Sequence, residues 1–312
     1  MESNKYKINF KIEYQQWLQY FSSVEKPNLS QSWHYGDAKM KSHRWKIIRA
    51  IVSENEKPIA LIQVWYKKIL FFKFARISYG PLWIIPTPSL EQIQAIFYII
   101  KKQWCLKKLC VLSIAPNLKN SSENNNVLEN LGFFKRKGMQ YESGLIDLTQ
   151  SIETLRCNLR QNWRNQLNFA EKKELIFTVS DYDSDFQWLI ACFNTFRNEK
   201  NFYGHSVKLL RALWQSNTEY QKTNVGFVTH HNEKVAGILI AQSGASCVPL
   251  IIWVNKNGRK LNAGNFLLWN SVLYSKKQGT LWFDLGSIIN NTFKTGLPHI
   301  PFQLIGEYYG FI

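Results

Sequence analysis

The chain writes one strand–turn–strand module twice. Around Asn55-Glu56-Lys57 the sequence runs Ile48-Arg-Ala-Ile-Val-Ser into a polar turn and Pro58-Ile-Ala-Leu-Ile-Gln-Val out of it. Around Asn232-Glu233-Lys234 it runs Val225-Gly-Phe-Val-Thr in and Val235-Ala-Gly-Ile-Leu-Ile out. Both read as β-hairpins. A second echo follows: Lys101-Lys102-Gln103 ends an apolar-periodic stretch before Leu109-Cys-Val-Leu-Ser-Ile, and Lys276-Lys277-Gln278 ends another before Leu281-Trp-Phe-Asp-Leu. The hairpin echoes lie 177 residues apart and the helix-end echoes 175. Two matches in the same order, on matching elements, imply duplicated domains, which the reading divides as 1–150 and 151–312 and expects to face each other across a central cleft.

A length of 312 residues suits two cores of ordinary size, and a 45% hydrophobic, 15% aromatic composition with 12 Trp and 20 Phe supplies them. The net charge of +17 is shared, with 22 Lys/Arg against 11 Asp/Glu in residues 1–150 and 17 against 11 in 151–312. Such an excess favours a polyanionic partner: nucleic acid, anionic lipid or a phosphorylated substrate. No apolar run reaches the length of a membrane span and Met1-Glu-Ser-Asn-Lys is no signal peptide, so the expectation is a cytoplasmic, monomeric protein. Cys105, Cys110, Cys157, Cys192 and Cys247 form no CxxC pair and read as reduced core thiols. His230-His231 sits at a strand–turn border where adjacent side chains should diverge, so no metal site is expected.

Along the first half the pattern gives a helix at about 13–23, a short helix through Lys39, strands at 47–53, 58–67 and 74–79, a helix from the N-cap Ser89 to about 104, and a strand at 109–114. A helix over about 151–172 links the halves, with Leu155, Leu159, Trp163, Leu167 and Ala170 as its buried stripe. Arg156, Arg160 and Arg164 recur on another line and are candidate contacts to an RNA backbone, or a solvated face. The second half repeats the order: helices at 184–197 and 206–216, strands at 224–230, 235–242 and through 250–254, a helix at 263–278, a strand at 281–285 and a final strand over 301–309. The fold class is α/β with mixed sheets.

The ordered pieces Gln31-Ser32-Trp33 with Lys39, Tyr79-Gly80-Pro81, Trp163-Arg164-Asn165-Gln166-Leu167, Phe283-Asp284-Leu285-Gly286 and Phe293-Lys294-Thr295-Gly296-Leu297 resemble the FemABX-like peptidoglycan-bridge transferases over nearly the whole chain. The resemblance implies two tandem GNAT-like domains. It implies transfer of an amino acid from aminoacyl-tRNA, as co-substrate and with no cofactor, to an amine on the stem peptide of a lipid-linked or UDP-linked peptidoglycan precursor, with peripheral contact to the inner face of the membrane. An aminoacyl ester is already activated, so attack by an amine needs alignment and stabilisation of the oxyanion rather than an enzymic nucleophile. The resemblance puts Lys294 at that oxyanion, and Lys39 and Arg197 near the precursor's diphosphate. Ala115 stands before Pro116 where family members often carry an aspartate, so that acid's role does not carry over. Ser287 stands where a second glycine commonly follows Phe-Asp-Leu-Gly.

Two other readings stay open. An acyl-CoA-dependent N-acyltransferase would use a glycine-rich turn at a helix N-terminus, and Arg259-Lys-Leu-Asn262-Ala-Gly264 has the placement but Asn262 at the first glycine. A non-catalytic RNA- or envelope-binding protein is the third.

Overall fold

The computed structural model describes residues 5–105, 110–136, 141–200, 204–218, 220–287, 294, 296–304 and 308–310, with 141, 142, 200, 287 and 300–304 by backbone alone. It divides into two units, Met1–Glu142 with Phe302–Ile312, and Ser143–Pro301.

In the first unit the order is β1 (Tyr6–Asn9), α1 (Tyr14–Ser22), α2 (Trp33–His43), β2 (Lys46–Glu54), β3 (Lys57–Ile69), β4 (Phe72–Ser78), β5 (Leu82–Trp83), α3 (Leu90–Trp104), β6 (Cys110–Ala115), α4 (Ser122–Asn130) and β7 (Phe134–Lys135). β3 is buried from Ile59 to Trp65, as its apolar run, interrupted only by Gln63, requires of a strand covered on both faces. The pleat divides that run. Ala60, Ile62 and Val64 pack with Ile93, Phe97 and Ile100 of α3, while Leu61 joins Trp17 and Phe21 of α1. Ser89 and Gln92 close a capping box at the start of α3.

The second unit holds β8 (Tyr141–Asp147), α5 (Ile152–Cys157), α6 (Gln161–Glu171), β9 (Leu175–Ser180), α7 (Asp183–Lys200), α8 (Val207–Trp214), β10 (Thr223–His230), β11 (Glu233–Ser243), β12 (Ser246–Val254), α9 (Lys256–Lys260), α10 (Ala263–Lys277), β13 (Trp282–Ser287) and β14 (Ile300–Leu304). Ala236, Ile238 and Ile240 of β11 face Leu267, Leu268 and Val272 of α10, whereas Leu239 faces Phe186 and Leu189 of α7. Both units are therefore helix, sheet, helix.

The sheets run β1-β2-β3-β4-β6-β15-β7 and β9-β10-β11-β12-β13-β8-β14, where β15 is Tyr308–Gly310. Position by position the orders match, with one parallel pair in each, β4 with β6 and β12 with β13. The sixth strand is exchanged: β8 precedes the rest of its sheet in sequence, and β15 returns from the C-terminus to lie between β6 and β7. The chain thus divides at 142/143 rather than 150/151, and its last residues belong with the first unit.

The duplication is real at the level of backbone and shifted at the level of letters. In one hairpin Val52, Ser53 and Glu54 oppose Ala60, Pro58 and Lys57; in the other Val228, Thr229 and His230 oppose Ala236, Lys234 and Glu233. Each residue recurs 176 later, including the β-bulge. The turn residues with positive φ are Asn55 and Glu56 (46° and 68°) and His231 and Asn232 (47° and 63°), both of the kind that suits a tight hairpin. The repeated Asn-Glu-Lys is one residue out of step.

Five expectations change. The helix expected over 151–172 is two helices, because Arg160 is extended (φ −58°, ψ 141°). The final strand is two, β14 in one sheet and β15 in the other. The strands expected at 58–67 and 74–79 extend to a two-residue turn at Leu70-Phe71, since Ile69 pairs with Phe72. The His230 and His231 rings do not diverge, their centroids being 4.0 Å apart. Cys105, Cys110 and Cys247 are core residues, but Cys157 is exposed.

Candidate active site

In the second unit three distant stretches converge on Lys294. β13 carries Phe283, Asp284 and Leu285 to Gly286, whose φ of 67° turns the chain in the left-handed region that glycine allows at no steric cost. The Gly286 N–H donates to Asp284 Oδ1 at 2.7 Å, the Ser143 hydroxyl of β8 donates to the same oxygen, and Lys294 Nζ donates to the carbonyl oxygen of Leu285. Burial pushes the Asp284 carboxyl above the usual carboxylate range against the pull of Ser143, the Gly286 amide and the Lys294 charge. Burial likewise holds Lys294 below the ordinary lysine range, and the Asp284 charge opposes this. The result is an ammonium beside a glycine turn, in a setting where charge interactions are strong.

The loop carrying Lys294 is clamped. Gly296 lies against Trp163 so closely that an added Cβ would come within 2.3 Å of the indole, and Arg160 N–H donates to the Gly296 carbonyl at 3.0 Å. Leu297 N–H returns to the Lys294 carbonyl at 3.2 Å, and Leu297 is buried in the core. Phe293 and Thr295 of this motif lie outside the described residues.

The first unit holds a second polar site. Ser32 caps α2 by accepting from the Tyr35 N–H, and Gln31, fully buried, donates to the Gln63 and Ser78 carbonyls (3.1 and 2.9 Å) and accepts from the Gln63 N–H. Gly80 leaves room for it: a Cβ there would sit 2.7 Å from the Gln31 amide. These bonds seat α2 on β3 and β4, so that Lys39 Nζ stands 4.7 Å from the Trp65 ring and 5.6 Å from Tyr35. Burial, and then the charge of Arg76, push the Lys39 ammonium below its ordinary range. Arg76 donates to Ser78 Oγ (3.1 Å) and Ser113 Oγ (3.5 Å). Sequence reasoning passed over Arg76, although a cation in the apolar strand Phe72-Lys-Phe-Ala-Arg-Ile-Ser is itself a signal.

The family model for the acetyltransferase (GNAT) domain matches residues 157–295, which span Trp163, Asp284 and Lys294. Among solved structures, FemX shares the fold with a TM-score of 0.81 at 14% identity, covering 98% of this chain and 97% of that one. Residues 157–295 thus carry a GNAT domain, and the whole chain has the fold of FemX. The C-terminal domain of a protein assigned as a lysylphosphatidylglycerol synthetase from Agrobacterium fabrum is also similar (TM-score 0.59, 10% identity, 95% and 92% covered). So is a tandem GNAT protein from the clavulanic acid biosynthesis pathway (TM-score 0.55, 8% identity, 98% of both chains). No curated protein matches the sequence at a significant level.

The remaining candidate residues are distributed unevenly. Arg197 lies half-buried on α7, 5.8 Å from the Phe193 ring, in the unit that does not contain Lys39. Arg156, Arg160 and Arg164 do not line one helix. Arg156 ends α5 and is held by both carboxylate oxygens of Glu171 and by Asn168, Arg160 is the exposed N-cap of α6, and Arg164 binds Gln161 and the Cys157 carbonyl. Ala115 ends β6 with its carbonyl accepting from the Gly80 N–H at 3.3 Å.

The helix that follows the fourth strand of each sheet is where a coenzyme pyrophosphate would meet free amides. At α10, Ala263, Gly264 and Asn265 are buried. At α3, the Ser89–Gln92 capping box occupies the end and Glu91 adds negative charge to the first turn. Arg259 donates to the Val254 carbonyl at 2.9 Å. No helix among the described residues is long and apolar enough to cross a membrane, and no group of three His, Cys, Asp or Glu is placed to hold a metal.

Proposed function

We propose that this acyltransferase moves an amino acid from aminoacyl-tRNA to an amine on the stem peptide of a peptidoglycan precursor. The observation that carries the reading is the clamped, part-buried ammonium of Lys294 beside the Gly286 turn. The amine nitrogen attacks the ester carbonyl, the carbon–oxygen bond to the tRNA ribose breaks, and the amine's proton ends on the ribose hydroxyl. Lys294 turns its N–H from the Leu285 carbonyl to the oxyanion that forms between those steps. Asp284 keeps that lysine charged, and Ser143 keeps Asp284 in place.

Lys39 and Arg76 supply the cations of the acceptor's diphosphate site. Arg160 and Arg164 are the remaining RNA contacts, since Arg156 is committed to Glu171. The capping box and Glu91 at the start of α3 speak against an acyl-CoA donor there. The test is to supply labelled aminoacyl-tRNA and labelled acetyl-CoA separately, with precursor as acceptor. Label should enter the acceptor from the tRNA; label entering from acetyl-CoA alone would return the coenzyme reading.

A further inference from the structure

The β3–β4 hairpin ends in a tip that ordinary folding economy would not build. Ile69, Leu70, Phe71 and Phe72 are 49, 79, 88 and 64% exposed in the full chain. The turn is tight, and Leu70 takes a φ of 53°, a left-handed conformation that such turns normally give to Gly, Asn or Asp. One step down the ladder Lys68 stands directly opposite Lys73, a like-charge pair that weakens a hairpin, and Lys67 opposes Phe74. Lys46 of the neighbouring strand lies opposite Tyr66. No Asp or Glu occurs from Lys57 to Leu90, nor from Ala38 to Ser53. The sequence thus accepts a disfavoured turn, repelling lysines and a solvent-facing apolar cluster at one place.

We propose that this tip docks on an anionic lipid surface, Leu70 and Phe71 entering the boundary between headgroups and acyl chains while Lys46, Lys67, Lys68 and Lys73 meet the phosphates. A bilayer offers both halves of that complement, an apolar phase under a layer of negative charge. A nucleic acid offers the charge without the apolar phase, and its phosphates would gain nothing from Ile69 or Leu70. The docking is independent of the acyl donor and would hold for any acceptor presented at a membrane.

The test is flotation with vesicles of phosphatidylcholine and phosphatidylglycerol at low salt, using the whole chain. Wild type should float with the mixed vesicles and far less with phosphatidylcholine alone. The double variant Leu70→Ser, Phe71→Ser should bind at least about tenfold more weakly, since each side chain loses its apolar transfer. Lys68→Gln with Lys73→Gln should weaken binding and flatten its salt dependence. Amide exchange of wild type, read by mass spectrometry over residues 66–74, should slow when vesicles are added, which keeps the test open if a variant misfolds. Unchanged exchange there, full binding by the Ser variant, or a wild type that stays off the vesicles while the tip joins two copies in sedimentation would overturn the proposal.

Discussion

Gly296 rests on the indole of Trp163, in a space where a Cβ would approach the ring to 2.3 Å. That contact fixes the loop bearing Lys294 against α6, so two motifs more than 130 residues apart are one mechanical part. Gly296→Ala should overpack the site and cost about 1–3 kcal/mol of stability, measured by denaturant unfolding. It should also lower turnover more than it raises either KM, because the lysine moves with the loop. A variant with Trp163→Leu added should regain part of the turnover; if it regains none, the indole is not what holds the loop.

Asp284 sets the charge state of Lys294. Because its negative charge opposes the lowering of the lysine's pKa, Asp284→Asn should let that pKa fall further, and activity that needs the ammonium should be lost at lower pH than in wild type. The alkaline limb of the kcat profile reads this directly. For stability the sign is opposite to that of a surface carboxylate. With its folded pKa raised, Asp284 contributes most when protonated, and the contribution is lost as pH rises from the ordinary carboxylate range through the raised value. The Asn variant should lack that loss, and an identical slope in both proteins would remove Asp284 from the account.

Lys39 and Arg76 should act on one anion. Lys39→Ala or Arg76→Gln should raise the acceptor's KM about tenfold or more and leave the donor's KM nearly unchanged. Their effects should be non-additive in the double variant. Additive losses, or equal losses with an acceptor analogue lacking phosphate, would mean that the two cations only support the fold.

The arginines near residue 160 should contribute unequally. Arg156→Gln should cost less than about 1 kcal/mol of stability, as the pair with Glu171 is part-exposed, and should leave the salt dependence of RNA binding unchanged. Replacing Arg160 and Arg164 as well should make the log-affinity against log-salt plot shallower by about two contacts, each near 0.7 to 0.9. A loss of three contacts would show that Arg156 leaves Glu171 to bind RNA.

Much of this was legible because it is local. The hairpins, the Ser89 cap and the buried stripe from Leu155 to Ala170 follow from pattern, and each stripe residue is indeed buried. The break in the linking helix was not, since Leu159 keeps the helical spacing through it. What opens the chain there is the Arg160 N–H bonding to Gly296, a partner 136 residues away. The last strand was misread for a similar reason: its composition continues from Ile300 to Gly310, but its two ends find different sheets. Of the site, the motifs identified Lys294 and Lys39, whereas Ser143 and Arg76 emerge only once β8 lies against β13 and α2 over β4.

Single-turnover transfer from preformed aminoacyl-tRNA to the precursor, with wild type and Lys294→Met at saturating substrates, tests the central claim most directly. Wild type should form the amide, and the variant, equally folded and binding both substrates, should form it about 10²–10³-fold more slowly, the loss expected of one oxyanion donor. Equal rates in the two proteins, or no amide from wild type, would contradict it.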